Sequence, residues 1–222
     1  MVSASIIEQL NRADQDITLL INSLSWPVTD WFWMIMSDIA TWIPTYVICA
    51  FFLFKRLGWQ KALIVIASAA ICFGICDQLS NLVKHSVLRL RPNYTGRMLR
   101  EGLMMLERRG GFYGFFSAHT ANSFAFAICL IIGFRNDSSH SYNAFWKWAL
   151  VWAILVSVSR IFVGKHFFGD ILAGSIVGVT VGYSVGMLTR YLIQKYVDKV
   201  PPTGLTMVFD KKLTVQEGLS PS

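Results

Sequence analysis

Residues 167–193 read FFGDILAGSIVGVTVGYSVGMLTRYLI. The run is rich in Gly and Val and has Asp170 at its start and Arg190 near its end. At helical rise it reaches about 40 Å, more than the roughly 30 Å hydrocarbon core of a bilayer. Backbone inside lipid must satisfy its own hydrogen bonds, so such a run is a helix. Four further apolar stretches precede it. One lies near 39–55 and is stopped by Lys55 and Arg56, and residues 28–38 read as a surface or tilted segment leading into it. The second runs from Trp59 to about Leu82 and carries Asp77 near its end. The third runs from His119 to Phe134, near the lower length limit for a span, and the fourth, 144–159, opens on Phe145, Trp146 and Trp148. The expected fold class is therefore all-α: a polytopic membrane helical bundle of about five transmembrane helices.

In residues 4–24, Ile6, Ile7, Leu10, Ile17, Leu20, Ile21 and Leu24 share a helical face, with Glu8, Gln9, Asn11, Arg12 and Gln15 mostly opposite. This pattern predicts an amphipathic helix, on the membrane surface or packed against the bundle. Three regions follow: an N-terminal amphipathic helix over 1–27, a membrane domain over 28–197, and a tail over 198–222. The tail has Pro201-Pro202 and no apolar period, which predicts mobility. No internal repeat is present.

Composition agrees with a membrane protein. Of 222 residues, 54% are hydrophobic and 15% charged, against roughly 25% charged in soluble domains. Disorder and a nucleic-acid-binding role are therefore excluded, and the net charge of +7 is better spent on anionic lipid or basic loops. Cys49, Cys72, Cys76 and Cys129 lie in apolar runs without C-x-x-C spacing and read as small buried hydrophobes. Residues 1–16 hold Glu8, Asp14 and Asp16 with one Arg and no Lys, the wrong charge for a secretory signal. Nothing in the sequence sets an oligomeric state.

Five spans sort the basic residues into two sets of ten. Loops 55–61 and 135–147 and the C-terminal tail share one side; loops 84–116 and 160–167 share the other with the N-terminus. The tie leaves the positive-inside rule undecided. Discounting basic residues engaged in chemistry puts the C-terminus inside and the two site-bearing loops outside.

The second side holds three notable segments: Lys84 to Arg91-Pro92; Ser117-Ala118-His119 opening a span; and Ser159-Arg160 followed by His166 and Asp170. Arg supplies bidentate donors and Lys a point charge, which suit the oxygens of a phosphate ester. Histidine serves as nucleophile or proton donor near neutral pH. His166 and Asp170, four residues apart on a helix, share one face, so the carboxylate can fix the imidazole tautomer and leave the other nitrogen free to attack. Taken singly, a lysine or arginine near a span end is more often a snorkelling anchor.

In order and spacing these segments resemble the three motifs of the type 2 phosphatidic acid phosphatases, over about residues 28–195. Lys84 with Arg91-Pro92 matches the first, Ser117-Ala118-His119 the second, and Ser159-Arg160, His166 and Asp170 the third. The resemblance implies a membrane lipid phosphatase acting through a phosphohistidine. His166 would be the nucleophile, Asp170 its orienting group, and His119 the proton donor to the leaving oxygen. Lys84, Arg91, Ser117, Ala118 and Arg160, with nearby backbone N–H groups, would bind the phosphoryl group. No metal or other cofactor is implied.

The second motif departs from the family's usual Pro-Ser-Gly-His. Ala118 disfavours φ > 0 but can be helical, and Phe116 is expected near a lipid chain. The implied partners are a phosphorylated membrane lipid and the bilayer. Compact size suggests a bacterial inner membrane protein with its site on the periplasmic face. Phosphatidylglycerol phosphate, undecaprenyl diphosphate and lipid A are compatible substrates, and the long basic loop favours lipid A. Arg89, Arg97, Arg100, Arg108 and Arg109 would meet either a large anionic headgroup or anionic lipid. A transporter is disfavoured because the charges cluster at one face without an inverted repeat. A non-catalytic lipid-binding protein would not need both histidines and Asp170. The resemblance extends to vanadate-dependent haloperoxidases, which are soluble.

Overall fold

The computed structural model describes residues 2–199; the tail expected over 198–222 lies outside the described residues from 200 onward. Seven helices follow in order: α1 Val2–Asn22, α2 Pro27–Ser37, α3 Ile43–Val87, α4 Gly96–Arg100, α5 Ala118–Phe134, α6 Asn143–Phe162 and α7 Phe168–Leu192. Among the described residues there is no β-strand, only an isolated bridge between Leu90 and Tyr113.

Helices cover all five of the expected apolar stretches, two of them as arms of α3. Gly58 sits at φ 76°, ψ 168° inside that helix, a conformation open to glycine, and the chain reverses there. Tyr46 of the first arm meets Phe73 of the second with ring centroids 6.2 Å apart. Residues 40–87, Asn143–Phe162 and Phe168–Val197 are long and apolar enough to cross a membrane; α5, with 17 residues, is shorter.

α5 is the hub. Against α3 it runs antiparallel in a fixed register. Ser80 Oγ donates to the Phe116 carbonyl at 3.2 Å, and Asn122 Nδ2 donates to Asp77 Oδ1 at 2.9 Å. Phe73 and Phe126 stack at 5.7 Å. Against α7 it packs through a row of glycines: Gly174, Gly178, Gly182 and Gly186 are all buried. A Cβ on Gly178 would lie 2.4 Å from the Ala121 carbonyl oxygen, and one on Gly182 would lie 2.6 Å from that of Ala125. Lipid tails are as apolar as leucine, so close backbone approach is a main source of attraction between such helices. The glycine-rich reading of 167–193 thereby acquires its reason.

α1 turns its polar face inward. Gln15, Thr18 and Asn22 are buried, while Ile6, Ile7, Leu10 and Leu20 are exposed. Asn22 Nδ2 reaches the carbonyls of Met104, Ile161 and Phe162 at 3.1, 3.0 and 3.2 Å, and its Oδ1 accepts from Met104 N at 2.8 Å. Of the five polar residues expected opposite the apolar face, Gln15 is buried and Glu8, Gln9, Asn11 and Arg12 are exposed, so the helix packs on the bundle through the polar residues of its second half.

The two charge sets separate as expected. At one end Arg56 Nη1 meets His140 Nε2 at 2.6 Å and Lys61 pairs with Asp198 at 2.6 Å. Arg89, Arg160 and Lys165 gather at the other end, with α1 and α2.

The glycine row makes a stability prediction. Gly178→Val should lower the thermal unfolding temperature in detergent, because overpacking costs about 1–3 kcal/mol. Gly74→Ala, where a Cβ meets nothing within 4 Å, should leave it unchanged or slightly raised. Equal melting of the two variants would contradict the packing.

Candidate active site

A cavity of about 440 Å³ opens at the charged end among α2, α3, α5 and α6, lined there by Lys84, Arg91, Ala118, His119, Arg160 and His166. Five places along the chain deliver these six side chains. Lys84 lies in the last turn of α3. Arg91 follows that helix, positioned by its own backbone N–H donating to the Phe112 carbonyl at 2.9 Å and by Nε donating to the Tyr113 carbonyl at 3.1 Å. Ala118 and His119 open α5. Ala118 is helical, as its side chain requires.

His166 precedes α7, and its Nδ1 lies 3.2 Å from Asp170 Oδ2. Asp170 is fully buried behind it, outside the cavity lining. The same Oδ2 accepts from Phe167 N at 3.1 Å, and Oδ1 accepts from Arg89 Nη1 at 2.8 Å. With Nδ1 donating to the carboxylate, Nε2 keeps its lone pair. Burial first, then the charges of Arg160, Arg91, Lys84 and Lys165, hold the His166 imidazole well below its ordinary protonation range. The ring is therefore neutral, as a nucleophile must be.

Arg160 is buried at the end of α6. Its Nη1 donates to the hydroxyl of Ser37 and, at 3.3 Å, to the Ser37 carbonyl, and lies 3.5 Å from Glu107 Oε1. Its Nε is buried without a partner among the described residues, leaving a donor for an anion. Lys165 Nζ is held by the carbonyls of Arg108 and Arg109 and lies 3.7 Å from Glu107 Oε2.

Two expected members lie elsewhere. Ser117 is fully buried outside the cavity lining, where its hydroxyl caps α5 by accepting from Thr120 N at 3.4 Å. Phe116 is buried in the hydrophobic core and does not line the cavity, so the expected contact with a lipid chain is not made there. At the start of α7 the free N–H groups are also taken: Phe168 N donates to Thr18 Oγ1 at 3.0 Å and Gly169 N to Asp14 Oδ1 at 2.7 Å.

Sequence reasoning missed the supporting residues. Arg89, expected to meet a headgroup or lipid, instead bridges Asp170 and Asp14, with Nη2 2.5 Å from Asp14 Oδ2, and its guanidinium lies 4.3 Å from the Phe167 ring centroid. Arg97 is likewise committed, to Asp16 and Glu101 at 2.6 and 2.7 Å. The available signal was the polar face of α1, which carries Asp14 and Asp16. Arg100, Arg108 and Arg109 remain exposed. Of the other histidines, His85 is exposed, with Nδ1 2.8 Å from the Asn81 carbonyl, and His140 lies at the opposite end. All four cysteines are buried and unbridged. Among the described residues no group of three or more His, Cys, Asp or Glu is arranged to hold a metal.

The chain is similar to two lipid A 4'-phosphatases. That of Bacteroides thetaiotaomicron is 30% identical over 205 residues, 90% of this chain and 87% of that one. That of Porphyromonas gingivalis is 30% identical over 206 residues, 91% of this chain and 84% of that one. The fold is similar to that of a transmembrane PAP2-type phosphatidylglycerolphosphate phosphatase from Bacillus subtilis (TM-score 0.63, 20% identity, covering 85% of this chain and 88% of that one). It is also similar to Aquifex aeolicus LpxE (TM-score 0.56, 19% identity, covering 79% and 93%). The family model of the PAP2 superfamily matches residues 58–195, which include every motif residue from Lys84 to Asp170. The chain belongs to the PAP2 superfamily, as an integral membrane member.

Proposed function

We propose that this protein removes a phosphate group from lipid A through a phosphohistidine at His166, with its site on the periplasmic face of a bacterial inner membrane. It is an integral membrane lipid phosphatase; the lipid, the residue roles and the sidedness are the reading offered. One observation carries the mechanism. His166 is tied through Nδ1 to a buried carboxylate and lines a cavity shared with Lys84, Arg91, Arg160 and His119.

In this reading Lys84, Arg91 and Arg160 hold the phosphoryl oxygens and neutralise the charge that develops on them. Nε2 of His166 attacks phosphorus, and the bond to the lipid oxygen breaks as His119 protonates that oxygen. Asp170 stabilises the imidazolium that forms. A water molecule then enters, His119 takes its proton, and the P–N bond breaks to release inorganic phosphate and free His166. Support for lipid A comes from the two relatives that match nine-tenths of the chain and from the exposed Arg100, Arg108 and Arg109 beside the site, which suit a large anionic headgroup.

Purified protein should release phosphate from lipid A in the presence of EDTA, and His166→Ala should abolish release. Full activity of that variant would end the phosphohistidine reading, and wild-type loss in EDTA would end metal independence. Arg89→Leu removes the cation that fixes the outer oxygen of Asp170, so kcat should fall by about tenfold or more with KM nearly unchanged. A parallel rise in KM would instead place Arg89 in substrate binding. Because the native cysteines are buried, Arg100→Cys should be labelled by an impermeant thiol reagent in cells whose outer membrane has been permeabilised; labelling only after lysis would reverse the sidedness.

A further inference from the structure

Asp77 lies seven residues before Lys84 on α3, about 10 Å further into the bilayer. Asn122 lies three residues after His119 on α5, about 4.5 Å deeper. Their side chains meet at 2.9 Å, and both residues line the same cavity as the cradle. Neither is needed by the phosphoryl chemistry described above.

The pair is incompletely satisfied. Asn122 spends its amide N–H on Asp77 Oδ1, which leaves Asn122 Oδ1 buried with no donor among the described residues. Among the described residues Asp77 has no cation within ion-pairing distance, and its exposed carboxylate lines the cavity. An ionisable group within a membrane-spanning helix is costly, and its default explanation is a ligand or pathway. A buried acceptor left unpaired costs a further ~1–3 kcal/mol. Asn122 Oδ1 is thus an unpaired buried acceptor, and the Asp77 carboxylate is a second acceptor open to the same cavity.

The position of the pair is equally specific. Along α3 the cavity wall runs Phe73, Asp77, Lys84; on facing α5 it runs from His119 to Asn122, with Phe126 stacked on Phe73 beyond. Trp42, Tyr46 and Trp152 complete the apolar end. A lipid with its phosphate on the cradle would pass its acyl chains toward these rings, and its linkage region would pass the acceptor pair.

We propose that Asp77 and Asn122 form a subsite for an N–H or O–H donor in the linkage region of the substrate, selecting lipids with an amide or hydroxyl there, such as an N-acylated amino sugar, over lipids joined only by esters. The assignment rests on the reading that the cradle binds a lipid phosphate. An ester-linked lipid would present only further acceptors to Asp77 and Asn122, and the carboxylate would lose its water without replacement.

The test uses full-length protein in mixed micelles and two probes: an N-acyl, O-acyl glucosamine 4-phosphate and dioleoyl phosphatidic acid. In the wild type kcat/KM should favour the amide-bearing probe. In Asp77→Asn and in Asn122→Leu the ratio of the two values should fall by about tenfold or more, mostly through KM for the amide probe. An unchanged ratio in both variants, or equal losses on both probes, would overturn the subsite. Thermal unfolding in detergent checks that each variant is folded; where only one of them folds, its ratio decides the outcome. His166→Ala separates the two readings. If it is inactive on both probes while the ratio in the other variants is unchanged, the subsite fails alone; if it is active, the phosphohistidine reading of the proposed function fails.

Discussion

Everything at the charged end depends on keeping one carboxylate, Asp170, inside the protein. A buried charge needs hydrogen bonds and opposite charge around it, because the loss of water is otherwise uncompensated. Asp170 obtains them from His166, from the backbone of Phe167 and from Arg89. Arg89 is itself balanced by Asp14, which also accepts the Gly169 N–H at the start of α7. The N-terminal helix is thus tied to the site by charge, beside the apolar contact of Leu19 with Met98, Leu103 and Phe167. This accords with the burial of Gln15, Thr18 and Asn22 while Ile17, Leu20 and Leu24 stay exposed, the reverse of the arrangement usual for a helix on a soluble core.

Much of this was legible in the sequence. Lipid forces helices on any crossing segment, so apolar runs and their punctuating charges located all five apolar helices and their common charged end. The expected contact between His166 and Asp170 is present because the two are four residues apart on either side of a helix start, where local geometry alone decides it. Arg91 and Arg160 were found through motif spacing. What could not be read were contacts closed across long separations. The Arg89 bridge joins positions 14, 89 and 170, and Ser37 reaches Arg160 from a segment that read only as a tilted approach. Ser117 shows a subtler difficulty: a serine before a span is equally suited to capping the helix and to binding an anion, and here its hydroxyl receives Thr120 N.

The division of labour among cations follows from their surroundings. Arg97 is paired off with acidic partners, while Arg89 is consumed in holding the frame. Arg160 is buried with an unused Nε, which makes it the cation most dependent on an incoming anion. Total positive charge is therefore a poor guide to phosphate affinity in this protein; the useful quantity is how many donors still lack acceptors.

The glycine row between α5 and α7 has a mechanical consequence. Ser117 N donates to the Asp170 carbonyl at 3.1 Å, and Gly174 sits directly against the Ser117 carbonyl. The helices bearing His119 and Asp170 therefore touch backbone to backbone at the site itself. Side chains can swing and lipids can thicken or thin around the protein, but no compressible layer lies between these two elements. The separation between the start of α5, where His119 lies, and the start of α7, where Asp170 lies, is gauged by main-chain contact and not by side chains that a deforming bilayer could displace.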